Sequence, residues 1–272
     1  MSTQKALITG GSTGIGRATA IRLAKAGFDV AITYAHNRDE AETTQAKVNE
    51  AGRECHIAQL DLNQLERVDL VVDDLVGRLG GLDVLVNNAG MMVGQRLPDV
   101  TPQSMQEIFS VNVFGAVRIT QAAMRHMLPE GMDGPARDNP GRVIVVTSVH
   151  EEIASPVDTL YTMTKHALGG FVKCLALDLT PLNVTVNAVA PGEIATPMND
   201  MAPGDFDSTD RPAIPARRSG HPDEVAAVIE FLSGDNAGFV SGVRWPIDGG
   251  FEAATPLAAS PYRDAYLEQF SS

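Results

Sequence analysis

Four consecutive apolar residues, Val143 to Val146, follow Gly141 and Arg142 and lead directly into Thr147 and Ser148. Such a run, three of its four residues valine, reads as a strand buried inside a parallel sheet. A parallel sheet needs crossover helices, so the remaining chain has to supply strands and helices in alternation. Ser148 stands at the carboxyl end of the strand, the end at which open α/β sheets bind ligands.

The alternation is present on both sides. Lys5 to Thr9 is a short strand, followed by Gly10-Gly-Ser12-Thr13-Gly14-Ile15-Gly16 and a helical pattern from Arg17 to Ala26. Phe28 to Thr33 and Glu54 to Leu60 are further strands, with helical periodicity over 38–51 and 64–79. Leu82 to Val86 is a fourth strand, ending in Asn87-Asn88-Ala89-Gly90. Apolar periodicity then runs from Met105 to Leu128, with Thr101 or Ser104 as its cap and Glu107 at capping-box spacing from Ser104. Asp158 or Thr159 caps a helix to Leu179, Asn183 to Ala190 is a sixth strand, Pro222 starts a helix, and Gly242 to Ile247 is the last strand. The pattern predicts an α/β doubly wound parallel sheet of about seven strands with helices on both faces.

No linker, charge block or repeat divides the 272 residues, so the expectation is a single domain over 1–272. Residues 129–140 read as a surface loop. Residues 193–220 have little periodicity and much Pro, Asp and Met, which suggests a substrate lid. Residues 251–272 form a tail whose Tyr262, Tyr266, Leu267 and Phe270 are candidates for docking on a partner.

A net charge of −13 and a pI near 4.8 argue against binding nucleic acid or an anionic membrane surface. No signal-peptide pattern opens the chain, and no stretch approaches the ~18 apolar residues that span a bilayer. Cys55 and Cys174 offer no metal-ligand spacing and no disulfide framework, so a reduced, cytoplasmic setting without a metal is expected. Cys174 reads as a small core residue.

Several residues carry chemistry in this pattern. The glycines between the first strand and helix allow close backbone approach, and a helix amino terminus there favours a pyrophosphate. Their spacing differs from the usual dinucleotide fingerprint. Tyr161 and Lys165, four apart on a helix, lie roughly 40° apart around its axis and share a face. An ammonium beside a phenol lowers its pKa from about 10 and fits it for general acid or base work. Asn112 inside an apolar helical pattern either satisfies a helix kink or belongs to a site.

The chain resembles the classical short-chain dehydrogenase/reductase family, on five motifs in order: Thr9 to Gly16, Asn87 to Gly90, the Ser148 strand end, Tyr161 with Lys165, and Pro191-Gly192. The resemblance implies a Rossmann-type fold and hydride transfer between a nicotinamide cofactor and a ketone or secondary alcohol. It implies that Tyr161 exchanges the proton and Ser148 orients the substrate oxygen, while Lys165 lowers the tyrosine pKa and holds the nicotinamide ribose. Asn112 matches the residue that keeps a water in a proton relay. For the cofactor it implies contacts from Gly10, Ser12, Thr13, Gly14, Ile15 and Gly16, and from Asp61 and Leu62. Asn88, Ala89 and Gly90, with Pro191, Gly192, Ile194 and Thr196, complete that set. The stretch Ser148-Val-His-Glu151 is similar to bacterial glucose dehydrogenases of the family, which points to a sugar or polyol. The general resemblance is to 3-oxoacyl carrier-protein reductases. His150 is read as a packing residue. A silent, cofactor-binding redox sensor is the alternative from another class, opposed by the intact Ser148, Tyr161 and Lys165.

Cofactor choice is read after the second strand, at Tyr34-Ala-His36-Asn37-Arg38. Tyr34 stands where an acidic residue would repel the 2′-phosphate of NADP, so NADP(H) is expected over NAD(H). His36, Asn37 and Arg38 are candidates to hold that phosphate, with pairing to Glu42 as the alternative for Arg38. The resemblance also implies a homotetramer or homodimer.

Overall fold

The structure, a computed structural model, describes residues 3–199, 201 and 210–254. The tail residues beyond 254 and part of the expected lid lie outside these described residues.

Seven strands form one parallel sheet: β1 (Lys5–Ile8), β2 (Asp29–Tyr34), β3 (Cys55–Gln59), β4 (Val84–Asn87), β5 (Gly141–Val146), β6 (Val184–Pro191) and β7 (Arg244–Ile247). Their order is β3-β2-β1-β4-β5-β6-β7, and every neighbouring pair is parallel. The helices are α1 (Gly14–Lys25), α2 (Arg38–Glu50), α3 (Val68–Leu79), α4 (Pro102–Phe109), α5 (Gly115–Met127), α6 (Thr159–Leu179) and α7 (Pro222–Ser233).

Alternate strand residues serve opposite faces, as the twofold repeat of a strand requires. Leu7, Leu85, Val143, Val145 and Val186 pack with α3, α5 and α6. Ile8, Ile32, Val86, Ile144 and Val189 pack with α1, α2 and α7. All six residues of β5 are buried, which accounts for its unbroken apolar run. The strand order reverses between β1 and β4, and the connections that leave these two strands diverge there to open a crevice at their carboxyl ends.

Three local expectations change. Thr101 is the cap of α4 and closes a capping box with Ser104 itself, while Glu107 accepts instead from Gln103 at 2.8 Å. The apolar pattern from Met105 to Leu128 is interrupted by a π turn, Ser110–Phe114, which carries Asn112. Cys174 is exposed, because its position on α6 faces away from the buried stripe Leu168, Val172, Ala176 and Leu179.

Candidate active site

The crevice is built first by the turn after β1. Gly10 and Gly14 hold φ of 65° and 52°, a region that glycine enters without strain. A methyl on Gly16 would overlap the Gly10 carbonyl, and one on Gly11 would come within 2.5 Å of Ile32. Thr9 Oγ1 accepts from the backbone N–H of Asn88 at 3.0 Å and of Ala89 at 2.9 Å. The Asn88 amide donates back to the carbonyls of Thr9 and Gly10 at 2.9 and 3.1 Å. These bonds strap the end of β4 to the glycine turn. Thr13, the N-cap of α1, makes no side-chain cap bond, so that helix end keeps amides available to an anion.

A cavity of about 880 Å³ opens along the carboxyl ends of the strands. Gly10, Ser12, Thr13, Gly14 and Ile15 line it from the β1 turn, and His36 and Asn37 from the end of β2. Asp61 and Leu62 line it after β3, and Asn88, Ala89 and Gly90 after β4. Pro191, Gly192, Ile194 and Thr196 line it after β6, with Ser148, Tyr161 and Lys165 between. A long groove with a bare helix end at one side and a row of hydroxyl and ammonium groups at the other fits a nicotinamide dinucleotide.

Three of the expected site residues do not line the cavity. Gly16 permits the close packing of α1 on its own turn. Arg38 is 71 % exposed and paired with Glu42 at 2.7 Å, an i,i+4 contact that wins because both groups sit on the first turns of α2. Asn37 lines the cavity but also accepts from the Glu40 N–H at 3.3 Å as the cap of that helix. Asn112, 1 % exposed, bonds the Met91 backbone and the Thr164 hydroxyl.

Ser148, Tyr161 and Lys165 are all buried. Ser148 caps a short 3-10 turn and accepts from the His150 N–H at 3.1 Å. Tyr161 and Lys165 share the buried stripe of α6, and the Lys165 ammonium lies 5.3 Å from the centre of the Tyr161 ring. The expected lowering of the phenol pKa by Lys165 is not what this arrangement produces. Burial pushes Tyr161 up to about 12, opposed by the Ser148 hydroxyl and reinforced by the charge of Asp158. Burial likewise pushes Lys165 down to about 8, and its ammonium donates to the Val146 carbonyl at 3.2 Å. Removal from water is thus the leading cause of both shifts.

The family profile described as enoyl-(acyl carrier protein) reductase matches residues 10–252. The chain belongs to the short-chain dehydrogenase/reductase family. Its relatives include an oxidoreductase of Escherichia coli K12, YohF, 41 % identical over 93 % of this chain and 97 % of that protein. The crystal structure of acetoin dehydrogenase YohF from Salmonella typhimurium is 40 % identical with a TM-score of 0.86, covering 94 % of this chain and 98 % of that one. A short-chain dehydrogenase from Burkholderia cenocepacia in complex with NADP is 35 % identical with a TM-score of 0.82, covering 92 % and 98 %. The protein is an oxidoreductase of this nicotinamide-dependent family.

Beyond the expected site residues, the cavity is lined by Met91, Asp158, Glu193, Arg211, Ile214 and Phe251, along with His150 and Met198. Apart from its backbone N–H to Ser148, His150 bonds through its ring, whose Nδ1 meets the Ile153 carbonyl at 2.9 Å and whose edge meets Tyr161. Arg211 pairs with Glu193, which also accepts from Ser219, and the backbones of Glu193 and Ala195 bond Gly220. Glu193, Met198, Arg211 and Ile214 fall within the expected lid over 193–220, whereas Met91, Asp158 and Phe251 come from separate loops that only the fold brings together. No helix of the described residues is long and apolar enough to cross a membrane.

Proposed function

We infer that this protein reduces a small ketone to a secondary alcohol, with NADP(H) preferred over NAD(H), and that Tyr161 is its proton donor. The observation that carries the reading is that the Ser148 and Tyr161 hydroxyl groups belong to buried residues that line the same cavity together with Lys165. Both hydroxyls are fixed before reaction at the position where a carbonyl oxygen gains charge, which favours the transition state over the ground state. The nicotinamide, when bound, supplies the hydride. Tyr161 gives its proton to the substrate oxygen, and Ser148 holds that oxygen. A phenol pushed up to about 12 is fully protonated at neutral pH, which supports work in the reducing direction. Lys165 orients the ribose and brings positive charge to the tyrosine. Asn112 stands behind Lys165 as the support of the proton relay.

For the substrate, two solved structures named as acetoin dehydrogenases, 40 % and 39 % identical, support a small hydroxyketone. Asp158 and His150 beside Tyr161 supply polar groups for a second oxygen. Relatives named 3-oxoacyl-[acyl-carrier-protein] reductase, at 32 % identity, keep the thioester reading as the competitor. The preference for NADP(H) rests on a cavity without a carboxylate at Tyr34, Ala35, His36 or Asn37. Exposed Phe114 and Met163, Leu177 on α6, and Phe231, Phe239 and Val243 near β7 support a homodimer or homotetramer. A lid over 193–220 and a cytoplasmic setting belong to the same reading.

Turnover is to be measured with NADPH and NADH against acetoin, diacetyl and a 3-oxoacyl thioester, and with NADP+ and NAD+ against glucose and a polyol. The expected result is the highest kcat/KM for acetoin or diacetyl with NADPH. Tight cofactor binding without turnover of any of these compounds in either direction would establish the silent sensor instead.

A further inference from the structure

Glu151 is a carboxylic acid only 4 % exposed, three residues beyond Ser148, and the mechanism above makes no use of it. Its side chain lies over Gly169 on α6, so closely that a methyl there would overlap the carboxyl group. Its Oε2 faces Nε of Arg244 at 3.5 Å as an ion pair, and neither atom has a hydrogen-bond partner among the described residues. Arg244 opens β7 and is itself 13 % exposed. Its Nη2 donates to the Ser148 carbonyl at 3.3 Å and its Nη1 to Glu252 Oε2 at 2.8 Å, with a second bond between Nη2 and Oε1 of that residue. Glu252 follows Phe251, which lines the substrate end of the cavity.

A buried carboxylate with one ion-pair partner costs free energy unless its neighbours use it. Every element around Glu151 presents a group to it. The Thr147 hydroxyl on the preceding segment favours its charged form, Glu152 adds a like charge from its own loop, α6 offers Lys165 and Lys173, and β7 offers Arg244. The geometry points to Glu151 as a positioning residue that, together with Arg244, locks the Ser148 loop, the Tyr161–Lys165 face of α6 and the segment ending in Phe251 into one register. The inference rests on the reading of Ser148, Tyr161 and Lys165 given under Proposed function.

The electrostatics agree. Burial pushes the Glu151 carboxyl up, and burial pushes Lys165 down to about 8 while the Glu151 charge acts to hold it up. Neutralising Glu151 thus removes the negative charge that keeps Lys165 protonated, and the alkaline limb of activity moves to lower pH.

Three variants test this with the ketone turned over best in the panel above. Glu151→Gln keeps the volume and removes the charge. Gly169→Ala keeps every charge and displaces the carboxyl group. Gly170→Ala, whose methyl would meet nothing within 4 Å, is the control for alanine on that turn. Glu151→Gln is expected to lose roughly tenfold or more in kcat, since slight misplacement of a catalytic group costs up to ~10²-fold, and to shift the alkaline limb of kcat/KM to lower pH. Gly169→Ala should reproduce the loss in kcat, and Gly170→Ala should match the parent. Arg244→Lys, which retains the charge without the fork, should recover part of the activity lost in Arg244→Met. Tyr161→Phe is run alongside. If it is silent while Glu151→Gln and Gly169→Ala both keep parental kcat and pH profile, the inference falls alone. If Tyr161→Phe stays active, the reading beneath it falls as well. Should Glu151→Gln fail to fold, Gly169→Ala against Gly170→Ala decides the matter by the same criterion.

Discussion

The side-chain amide of Asn112 closes on the backbone of Met91 from both sides, donating to its carbonyl at 2.9 Å and accepting from its N–H at 2.8 Å. The same amide donates to Thr164 Oγ1 at 3.1 Å, and that hydroxyl donates to the Tyr161 carbonyl at 2.7 Å. The π turn between α4 and α5 thus joins the segment after β4 to the first turn of α6. One extra residue in a helical turn is what aims the amide inward.

Replacing Asn112 with Leu leaves the Met91 polar groups buried without their partner. Loss of about 1–3 kcal/mol of stability is expected, with reduced kcat because Tyr161 is held through Thr164. Urea unfolding and steady-state kinetics check it. Unchanged stability would mean that water replaces these bonds at no cost.

Tyr161→Phe should lower kcat by about 10²-fold or more, the range for removing a general acid, while cofactor affinity stays near the parental value. Lys165→Ala should damage both. Because Lys165 is pushed down to about 8, its charge is lost as pH rises through that value, and activity that needs the ammonium falls there. A kcat/KM profile of the parent that stays flat well above pH 8 would remove the charge of Lys165 from the mechanism.

Arg38→Ala should leave NADPH affinity unchanged, since its guanidinium is committed to Glu42, whereas His36→Ala should weaken it. Ala35→Asp places a carboxylate at the end of β2 and should turn the preference toward NADH by roughly tenfold or more through repulsion of the 2′-phosphate. Titration of both cofactors by fluorescence measures each change. An Ala35→Asp variant that still prefers NADPH would show that the phosphate sits elsewhere.

Glu224, in the first turn of α7, is held at about 2 against an ordinary 4.5, first by its hydrogen bond with Arg218. A carboxyl depressed in the folded state contributes stability above its unfolded pKa and loses it as pH falls through the folded value. The side chain is 43 % exposed, so the contribution is modest. Glu224→Gln should melt below the parent at pH 7, and the two melting temperatures should converge as pH falls from 4.5 toward 2. A constant gap over that range would assign the effect to the lost cap geometry rather than to charge.

Local periodicity was enough to recover much of this protein. The unbroken apolar run of β5, the four-residue spacing of Tyr161 and Lys165, the glycines before α1 and the awkward Asn112 each carry their meaning within a few residues. A strand's twofold and a helix's 3.6-fold repeat translate directly into buried faces. Other properties depend on residues distant in sequence. Gly10 meets Asn88 only because the sheet sets β1 beside β4, and Ser148 meets Arg244 only because β7 closes the sheet beyond β6. The pKa of Tyr161 rises where helical spacing beside Lys165 argued for a fall. Desolvation is a sum over every group that excludes water, and that sum exists only once the chain has packed. Arg38, by contrast, follows the local alternative and pairs with Glu42 one turn along its own helix. Spacing along the chain determined which residues share a face, and packing decided what each face meets and which charges survive there.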